Sequence, residues 1–349
     1  MRRKAKTVDI GGVKIGGEHP IVIQSMTNTD TRDIEATVAQ IHALQNAGCE
    51  IVRVAVLDEQ AARCIAEIKE QISIPLVADI HFDYRLALLS LEQGVDKLRI
   101  NPGNIGGEER VRAVVEAAQK RGVPIRVGVN AGSLEKWVYE KYQGVTAQGL
   151  VDSAMSHVAL LEKYDFEDIV VSIKGDSIPL TVQAHEIIAG QIDYPIHIGI
   201  THAGVGQAGM VKSIAGAAAL LSRGFGDTLR VSLTDDPVAE IACAREILQA
   251  MGLRYFKPEI ISCPTCGRCQ VDLISLAKQV EKRLEGVDNY VKVAVMGCVV
   301  NGPGEARDAD VGIAAGKGAG LVFSKGEIIA KVPEERLLDA LMDEIEKHL

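Results

Sequence analysis

Aromatic residues and long apolar runs are scarce in this sequence. Only 4% of its 349 residues are aromatic, and Trp occurs once. No stretch approaches the roughly 18 consecutive apolar residues that a membrane span needs. The basic N-terminus, MRRKAKTVDIGG, is not followed by an apolar run of signal-peptide length. We therefore expect a protein with no membrane span and no export signal.

Excess positive charge, paired histidines and a disulfide framework are lacking as well. The net charge of −9 argues against a general nucleic-acid-binding protein. The sequence has no H-x-H or H-E-x-x-H motif, so it predicts no histidine metal site. Its seven cysteines are an odd number, and no secretion signal accompanies them. This usage predicts reduced thiols and a cytoplasmic location.

A Val- and Ile-rich run followed by a helical stretch recurs eight times between residues 20 and 250. The runs are PIVIQSM (20–26), EIVRVAV (50–56), IPLVADI (74–80), KLRINPG (97–103), PIRVGVN (124–130), DIVVSIKG (168–175), PIHIGIT (195–201) and DTLRVSLT (227–234). Strands that alternate with helices pair in parallel. Their number and the chain length predict a (β/α)8 TIM barrel over residues 1–253. An open doubly wound sheet is the alternative, but no G-x-G-x-x-G follows the first strand.

The pattern changes after AMGLRYFKPE (250–259). A cysteine-rich stretch leads into a helical segment at 271–285 and a strand, VKVAVMG (291–297). A Gly-rich region, a hairpin-like GLVFSKGEIIAKV (320–332) and a charged helix complete the chain. Residues 254–349 are therefore predicted to form a smaller α+β domain.

Cationic side chains interrupt five of the apolar runs. They are Arg53, Arg99, Arg126, Lys174 and Arg230, and the runs offer chiefly Asp79 as a counter-ion. Unpaired buried cations are costly, so a ligand with several negative charges, such as a diphosphate, best explains the set. His81 and His202 stand at predicted strand ends, where barrel enzymes place their chemistry.

Four of the cysteines are clustered. Cys263, Cys266 and Cys269 follow a C-x2-C-x2-C spacing in ISCPTCGRCQ, and Cys298 lies in VMGCVVNGPGE. One knuckle with a remote cysteine fits a 4Fe-4S cluster better than zinc, which usually takes two C-x2-C knuckles. Zinc and a redox dithiol remain alternatives at this point. By spacing alone, Cys269 would be the fourth thiolate.

Seven long motifs give the chain a resemblance to a known family. PIVIQSMTNTDTRD, EIVRVAV, ADIHFD, KLRINPGNIG, IRVGVNAGSLE, SCPTCGR and VMGCVVNGPGEA are similar to those of the 4-hydroxy-3-methylbut-2-enyl diphosphate synthases of the methylerythritol phosphate route. The resemblance covers nearly the whole chain. It implies that 2-C-methyl-D-erythritol 2,4-cyclodiphosphate is opened and dehydroxylated by two electrons from flavodoxin or ferredoxin.

The resemblance also implies roles for individual residues. The ligands of a 4Fe-4S cluster fall on Cys263, Cys266, Cys298 and Glu305, which leaves Cys269 outside the ligand set. The diphosphate contacts fall on Arg53, His81, Arg99, Arg126, Lys174 and Ser232, with Asn130 beside the substrate. A homodimer is implied in which the barrel of one subunit faces the cluster domain of the other.

Two features depart from the family pattern. Family members generally read Thr-Glu-Ala-Gly where this chain reads THAG (201–204), so His202 replaces a glutamate near the substrate. A histidine handles protons but changes charge near neutral pH. Cys269 is the second departure. The rival interpretation of the chain is a barrel phosphate-binding lyase or transferase that carries a structural zinc domain.

Overall fold

The computed structural model describes residues 2–101, 103–269, 271–298, 304 and 306–349. The chain divides into two compact units, residues 1–254 and 255–349. Among the described residues, no helix is long and apolar enough to cross a bilayer.

Eight parallel strands form a barrel in the first unit. They are β3 (Val22–Met26), β4 (Ile51–Ala55), β5 (Leu76–Asp79), β6 (Lys97–Ile100), β7 (Ile125–Asn130), β8 (Ile169–Lys174), β9 (His197–Ile198) and β10 (Thr228–Leu229). The sheet order is β8-β7-β6-β5-β4-β3-β10-β9. A parallel bridge between Val171 and Ile196 joins β8 to β9 and closes the circle. All eight predicted strands are present, and the predicted barrel is confirmed.

Helices surround this barrel. They are α1 (Ile34–Asn46), α2 (Glu59–Arg63), α3 (Ile65–Gln71), α4 (Tyr84–Glu92), α5 (Glu108–Arg121), α6 (Lys136–Tyr142), α7 (Ala147–Glu162), α8 (Ile178–Ala189), α9 (Gly206–Leu221) and α10 (Pro237–Ala250), with a 3-10 turn at Ala131–Ser133. Side chains cap several of them. Asp33, Thr146 and Ser177 each accept a hydrogen bond from a backbone N–H of the first turn. These local signals fix where each helix begins.

An N-terminal hairpin covers the amino ends of the barrel strands. Strands β1 (Val8–Ile10) and β2 (Val13–Ile15) pair antiparallel. Their apolar side chains pack in one cluster with Val22, Ile51 and Val170, each at or near the first residue of its strand. The sequence analysis does not predict this hairpin. Because it closes the amino end of the barrel, the carboxyl ends of the strands form the open end.

The second unit is a five-stranded mixed sheet packed against two helices. Its strands are β11 (Glu259–Ser262), β12 (Lys292–Met296), β13 (Val311–Gly316), β14 (Ala319–Ser324) and β15 (Glu327–Pro333). The first three pair in parallel and the last three antiparallel, in chain order. Helices α11 (Leu273–Arg283) and α12 (Leu337–Ile345) supply Val280 and Leu341 to its core, and a 3-10 turn at Glu334–Arg336 precedes α12. The predicted helix, strand and hairpin are confirmed, whereas β11 and β13 were not predicted.

Candidate active site

The five cations predicted from the strands converge inside the barrel. Arg53, Arg99, Arg126 and Lys174 lie in β4, β6, β7 and β8 and are at most 9% exposed. Arg230 follows β10, with a side chain that is 16% exposed. Burial lowers the pKa of Lys174 well below its usual range, and the positive charges of Arg230 and Arg53 lower it further. The five charges therefore act on one interior space.

Asp79 at the end of β5 is the carboxylate at the centre of one side of this space. Its Oδ1 accepts a hydrogen bond from Arg99 Nη1 at 3.1 Å, and its Oδ2 lies 3.8 Å from Arg53 Nε. Burial raises the pKa of Asp79, but the charge of Arg53, a bond to His81 and the charge of Arg99 outweigh burial, so the pKa lies below the ordinary value. Asp79 is thus an anion that orients two guanidinium groups.

Arg126 has no comparable partner among the described residues. Its side chain is 1% exposed, and Nε and Nη1 make no hydrogen bond there. Burial lowers the pKa of the Arg126 guanidinium well below its usual range, as do the charges of Arg53 and Arg99. An unsatisfied buried guanidinium is unfavourable, and a bound phosphate would supply the missing acceptors.

Two charged residues at this site escaped the sequence analysis. Lys97 begins β6, is 0% exposed and donates to Gln24 Oε1 at 3.3 Å. Glu240 on α10 is 3% exposed, and its Oε2 lies 3.7 Å from Arg230 Nε. Lys97 shares the strand face of Arg99, two residues away, which was the signal that could have revealed it.

The described part of the barrel interior therefore holds more positive than negative charge. Its cations are Arg53, Lys97, Arg99, Arg126, Lys174 and Arg230, and the carboxylates that approach them are Asp79 and Glu240. Six cations facing two carboxylates leave a strongly basic cavity in a protein with a net charge of −9. Such a cavity binds anions.

The remaining predicted substrate contacts lie at the carboxyl ends of the strands. Asn130 ends β7 in register with Lys174 of β8. His81 follows β5, with its Nε2 3.4 Å from Asp79 Oδ2 and a half-exposed side chain. Ser232 is half-buried after β10. All three belong to the open end of the barrel.

His202, in the loop after β9, is exposed and has an unusual backbone conformation. Its φ of 54° lies in the left-handed region that non-glycine residues seldom adopt. The carbonyl oxygen of His202 accepts a hydrogen bond from Lys212 Nζ at 2.9 Å. The loop is therefore held in a strained form at the carboxyl end of β9, where the sequence predicts substrate contact.

The clustered cysteines lie at one edge of the second unit's sheet. Cys263 follows β11, and Cys298 comes two residues after β12, which pairs in parallel with β11. Carboxyl ends of adjacent parallel strands meet at one edge of a sheet. Cys266 is exposed in the turn that leads away from β11. Glu305, the predicted fourth ligand, lies outside the described residues.

The contacts at this edge suit a group bound through sulfur. The backbone N–H of Gly297 donates to Cys263 Sγ at 3.3 Å. A Cβ at Gly297, just after β12, would lie 2.6 Å from Cys269 Sγ, so the chain passes very close to the cysteine turn here. Within the described residues, no three Cys, His, Asp or Glu side chains are already gathered as a metal site. The donor set nevertheless fits a cluster held by thiolates.

Comparison with solved structures supports the description as a barrel. A dihydropteroate synthase from Stenotrophomonas maltophilia has a TM-score of 0.52 at 15% identity, over 71% of this chain and 98% of that one. A 3-dehydroquinate dehydratase from Geobacillus kaustophilus has a TM-score of 0.50 at 15% identity, over 72% of this chain and 99% of that one. At such identities the likeness shows the fold alone. Fold and cavity together define a TIM-barrel protein with an anion site.

Sequence comparison identifies the family. The GcpE TIM-barrel domain matches residues 5–245, and the GcpE protein C-terminal domain matches residues 259–347. The chain belongs to the GcpE family. A relative from Caldanaerobacter subterraneus subsp. tengcongensis, named 4-hydroxy-3-methylbut-2-en-1-yl diphosphate synthase (flavodoxin), is 57% identical over 99% of this chain and 98% of its own. A relative of the same name from Geobacillus thermodenitrificans is 56% identical over 99% of this chain and 92% of its own. The resemblance inferred from the motifs is confirmed.

Proposed function

We propose that this chain is an oxidoreductase that converts 2-C-methyl-D-erythritol 2,4-cyclodiphosphate into (E)-4-hydroxy-3-methylbut-2-enyl diphosphate. The observation that carries the proposal is the basic barrel cavity, six cations against two carboxylates, in a chain 57% identical to a synthase of that product. A cyclic diphosphate supplies the negative charge that such a cavity lacks. The reaction belongs to isoprenoid biosynthesis.

The barrel residues bind and orient the diphosphate in this proposal. Arg126 and Lys174 offer buried donors without a carboxylate partner among the described residues, and Arg53 and Arg99 add guanidinium groups fixed by Asp79. His81, Ser232 and Asn130 complete the contacts around the ring. Holding the ring in one orientation lowers the entropic part of the barrier.

Proton transfer is assigned to His202 at the open end of the barrel. Two electrons enter, a ring carbon–oxygen bond breaks, and one hydroxyl leaves as water, so a proton must reach the departing oxygen. His202 is exposed in the loop after β9, whose backbone Lys212 contacts, and histidine is a common proton carrier in enzymes. Its place after β9, at the carboxyl end of the barrel, supports this assignment.

The second unit would hold a 4Fe-4S cluster. Cys263, Cys266 and Cys298 are the proposed thiolate ligands, with Glu305 as the fourth, and the sheet edge described above supports the placement. When bound, the cluster supplies electrons and an iron that acts as a Lewis acid. We assign Glu305 a catalytic role because a carboxylate leaves its metal more readily than a thiolate.

The proposed partners follow from the same family. Reduced flavodoxin, which the names of the relatives state, or ferredoxin would deliver the electrons. The proposal includes a homodimer in which the barrel of one subunit faces the cluster domain of the other. It also assigns diphosphate binding to residues 1–253 and the cluster to residues 254–349. A cytoplasmic location agrees with the cysteine usage.

Anaerobic purification and a turnover assay test the proposal together. The protein is analysed for iron and sulfide, then given the cyclodiphosphate with reduced flavodoxin, and the product is identified by mass spectrometry. About four irons per chain and formation of the hydroxylated diphosphate are expected. Colourless protein that contains zinc and forms no product would instead support the phosphate-binding lyase or transferase with a structural zinc domain.

A further inference from the structure

Glu240 is a buried carboxylate to which the proposed reaction assigns no task. It lies on α10, yet it points inward and is 3% exposed. Its Oε1 accepts a hydrogen bond from the backbone N–H of Leu233 at 3.0 Å, and its Oε2 accepts one from Ser25 Oγ at 3.2 Å. Arg230 Nε lies 3.7 Å from the same Oε2. One side chain therefore joins a helix, strand β3 and the segment after β10.

The segment that Glu240 contacts has little regular support of its own. Strand β10 spans only Thr228–Leu229, and the next ladder-like bond runs from Arg230 N to Ile198 O at 3.0 Å. Residues 231–234 belong to no strand, although Ser232 is one of the proposed diphosphate contacts. A carboxylate that accepts the Leu233 N–H supplies the anchor that the sheet does not.

The same segment supports a second part of the site. The backbone N–H of Thr234 donates to Gly204 O at 3.2 Å, in the loop that contains His202. A displacement of residues 232–234 would therefore also move that loop. Ser232 and His202 both depend on where Leu233 is held.

We propose that Glu240 is a positioning residue, which holds the segment 230–234 and, through it, both Ser232 and the His202 loop in place for the diphosphate. This inference rests on the proposed function. Glu240 touches no substrate and acts through the backbone of Leu233. The two hydrogen bonds are shorter than the contact with Arg230, so the accepting oxygens matter more than the negative charge.

Two substitutions separate the accepting oxygens from the charge. Glu240→Gln keeps an acceptor for the Leu233 N–H, whereas Glu240→Ala removes it. We expect Glu240→Ala to weaken binding of the cyclodiphosphate about ten- to a hundredfold, measured by isothermal titration calorimetry on the holoenzyme. Glu240→Gln should stay within about threefold of the parent. Hydrogen exchange should show a faster Leu233 amide in Glu240→Ala and an unchanged β7.

Glu186→Gln is the matched control, because it removes an exposed carboxylate of the same barrel whose Oε1 lies 2.9 Å from Arg223 Nε. It should bind like the parent. Equal binding by the parent, Glu240→Gln and Glu240→Ala would overturn the inference. Equal losses in both Glu240 variants would overturn it as well, because the charge would then be decisive.

Two further results keep the test decisive. If Glu240→Ala does not fold, Ser25→Ala replaces it, because it removes one of the two hydrogen bonds that orient the carboxylate. We expect Ser25→Ala to weaken cyclodiphosphate binding about threefold. Unchanged binding in Ser25→Ala would overturn the inference. A parent protein that fails to bind the cyclodiphosphate would instead overturn the proposed function. The two failures are therefore distinguishable.

Discussion

Arg126 shows how a single residue connects the barrel to an anionic ligand. Its guanidinium is fully desolvated, and two of its nitrogens have no acceptor among the described residues. Stability alone would favour an apolar side chain at such a position. The arginine is therefore best explained by a ligand that binds it.

Replacing this guanidinium should cost binding and not folding. We expect Arg126→Ala to weaken cyclodiphosphate binding by about 1.5–3 kcal/mol, or one to two decades in Kd. Calorimetry measures the binding, and a thermal melt measures the fold. Arg112→Ala, which removes an exposed arginine paired with Glu116 at 2.6 Å, is the control and should bind normally. Unchanged affinity in Arg126→Ala would assign that arginine a structural role only.

The cysteines raise a question of the same scale, because spacing favours Cys269 as fourth ligand and family resemblance favours Glu305. Cys269 Sγ donates to Val271 O at 3.3 Å, a bond that a serine also makes. We expect Cys269→Ser to keep about four irons per chain and most of its turnover. Iron analysis after anaerobic purification is the measurement.

Two companion variants complete this test. Cys266→Ser, in the same turn, should lose iron, and Glu305→Ala should lose most turnover even if some cluster assembles. Iron loss in Cys269→Ser together with normal activity in Glu305→Ala would reverse the assignment. The sulfur of Cys269 would then be the fourth ligand.

The sequence predicted some site residues and hid others for physical reasons. Arg53, Arg99 and Arg126 stand out because a charge inside an apolar strand is conspicuous. Lys97 precedes the apolar residues of its run, where a lysine is ordinarily solvated. Glu240 stands three, four, seven and eight residues before buried apolar positions of the same helix, so its helical spacing was the signal that could have revealed it.

At the scale of elements, the barrel strands were predictable because each is a buried apolar run followed by an amphipathic helix. The N-terminal hairpin was not, since β1 and β2 are only three residues each. Strand β13 reads VGIAAG, where glycine and alanine weaken the pattern of a strand. Short elements and small residues leave too little periodicity to detect.

The close approach of two strand ends gives a prediction at this scale. A Cβ on Gly199, just after β9, would lie 2.5 Å from the backbone oxygen of Arg230 and 3.2 Å from Lys174 Nζ. Backbone atoms cannot move aside cheaply, so Gly199→Ala should destabilise the protein by about 1–3 kcal/mol. Cyclodiphosphate affinity should also fall, because Arg230 and Lys174 are displaced.

Gly190→Ala is the control for this substitution. Gly190 ends α8 with a φ of −86°, and the nearest atom to its added Cβ is 3.8 Å away. Thermal melts of both variants should show a lower Tm for Gly199→Ala alone. Equal melting temperatures would mean that the two strand ends tolerate separation.

At the scale of the whole molecule, charge is distributed unevenly. The chain has a net charge of −9, while the open end of its barrel collects cations. A basic cavity in a protein of net negative charge draws in an anionic substrate. The proposed function assigns diphosphate binding to this cavity and electron supply to the cysteines of the second unit, so the two tasks belong to different units of the chain.

That division, together with the proposed homodimer, predicts complementation between two variants that are damaged in different units, when turnover is measured at a substrate concentration too low to saturate Arg126→Ala. Arg126→Ala damages the barrel site, and Cys263→Ser damages the cluster site. If the barrel of one subunit works with the cluster of the other, a mixed dimer has one intact barrel facing one intact cluster. Random assembly of the two co-expressed chains should then restore about a quarter of the parent activity per chain.

A pair damaged in the same unit is the control for this recovery. Arg126→Ala with Arg53→Ala leaves every barrel defective, so no mixed dimer should regain turnover. If barrel and cluster instead act within one chain, the Arg126→Ala and Cys263→Ser mixture also stays inactive, because each chain lacks one half of the site. Activity in the first mixture and none in the second therefore requires that a catalytic site be completed by two chains, an arrangement that substitution in one chain at a time cannot reveal.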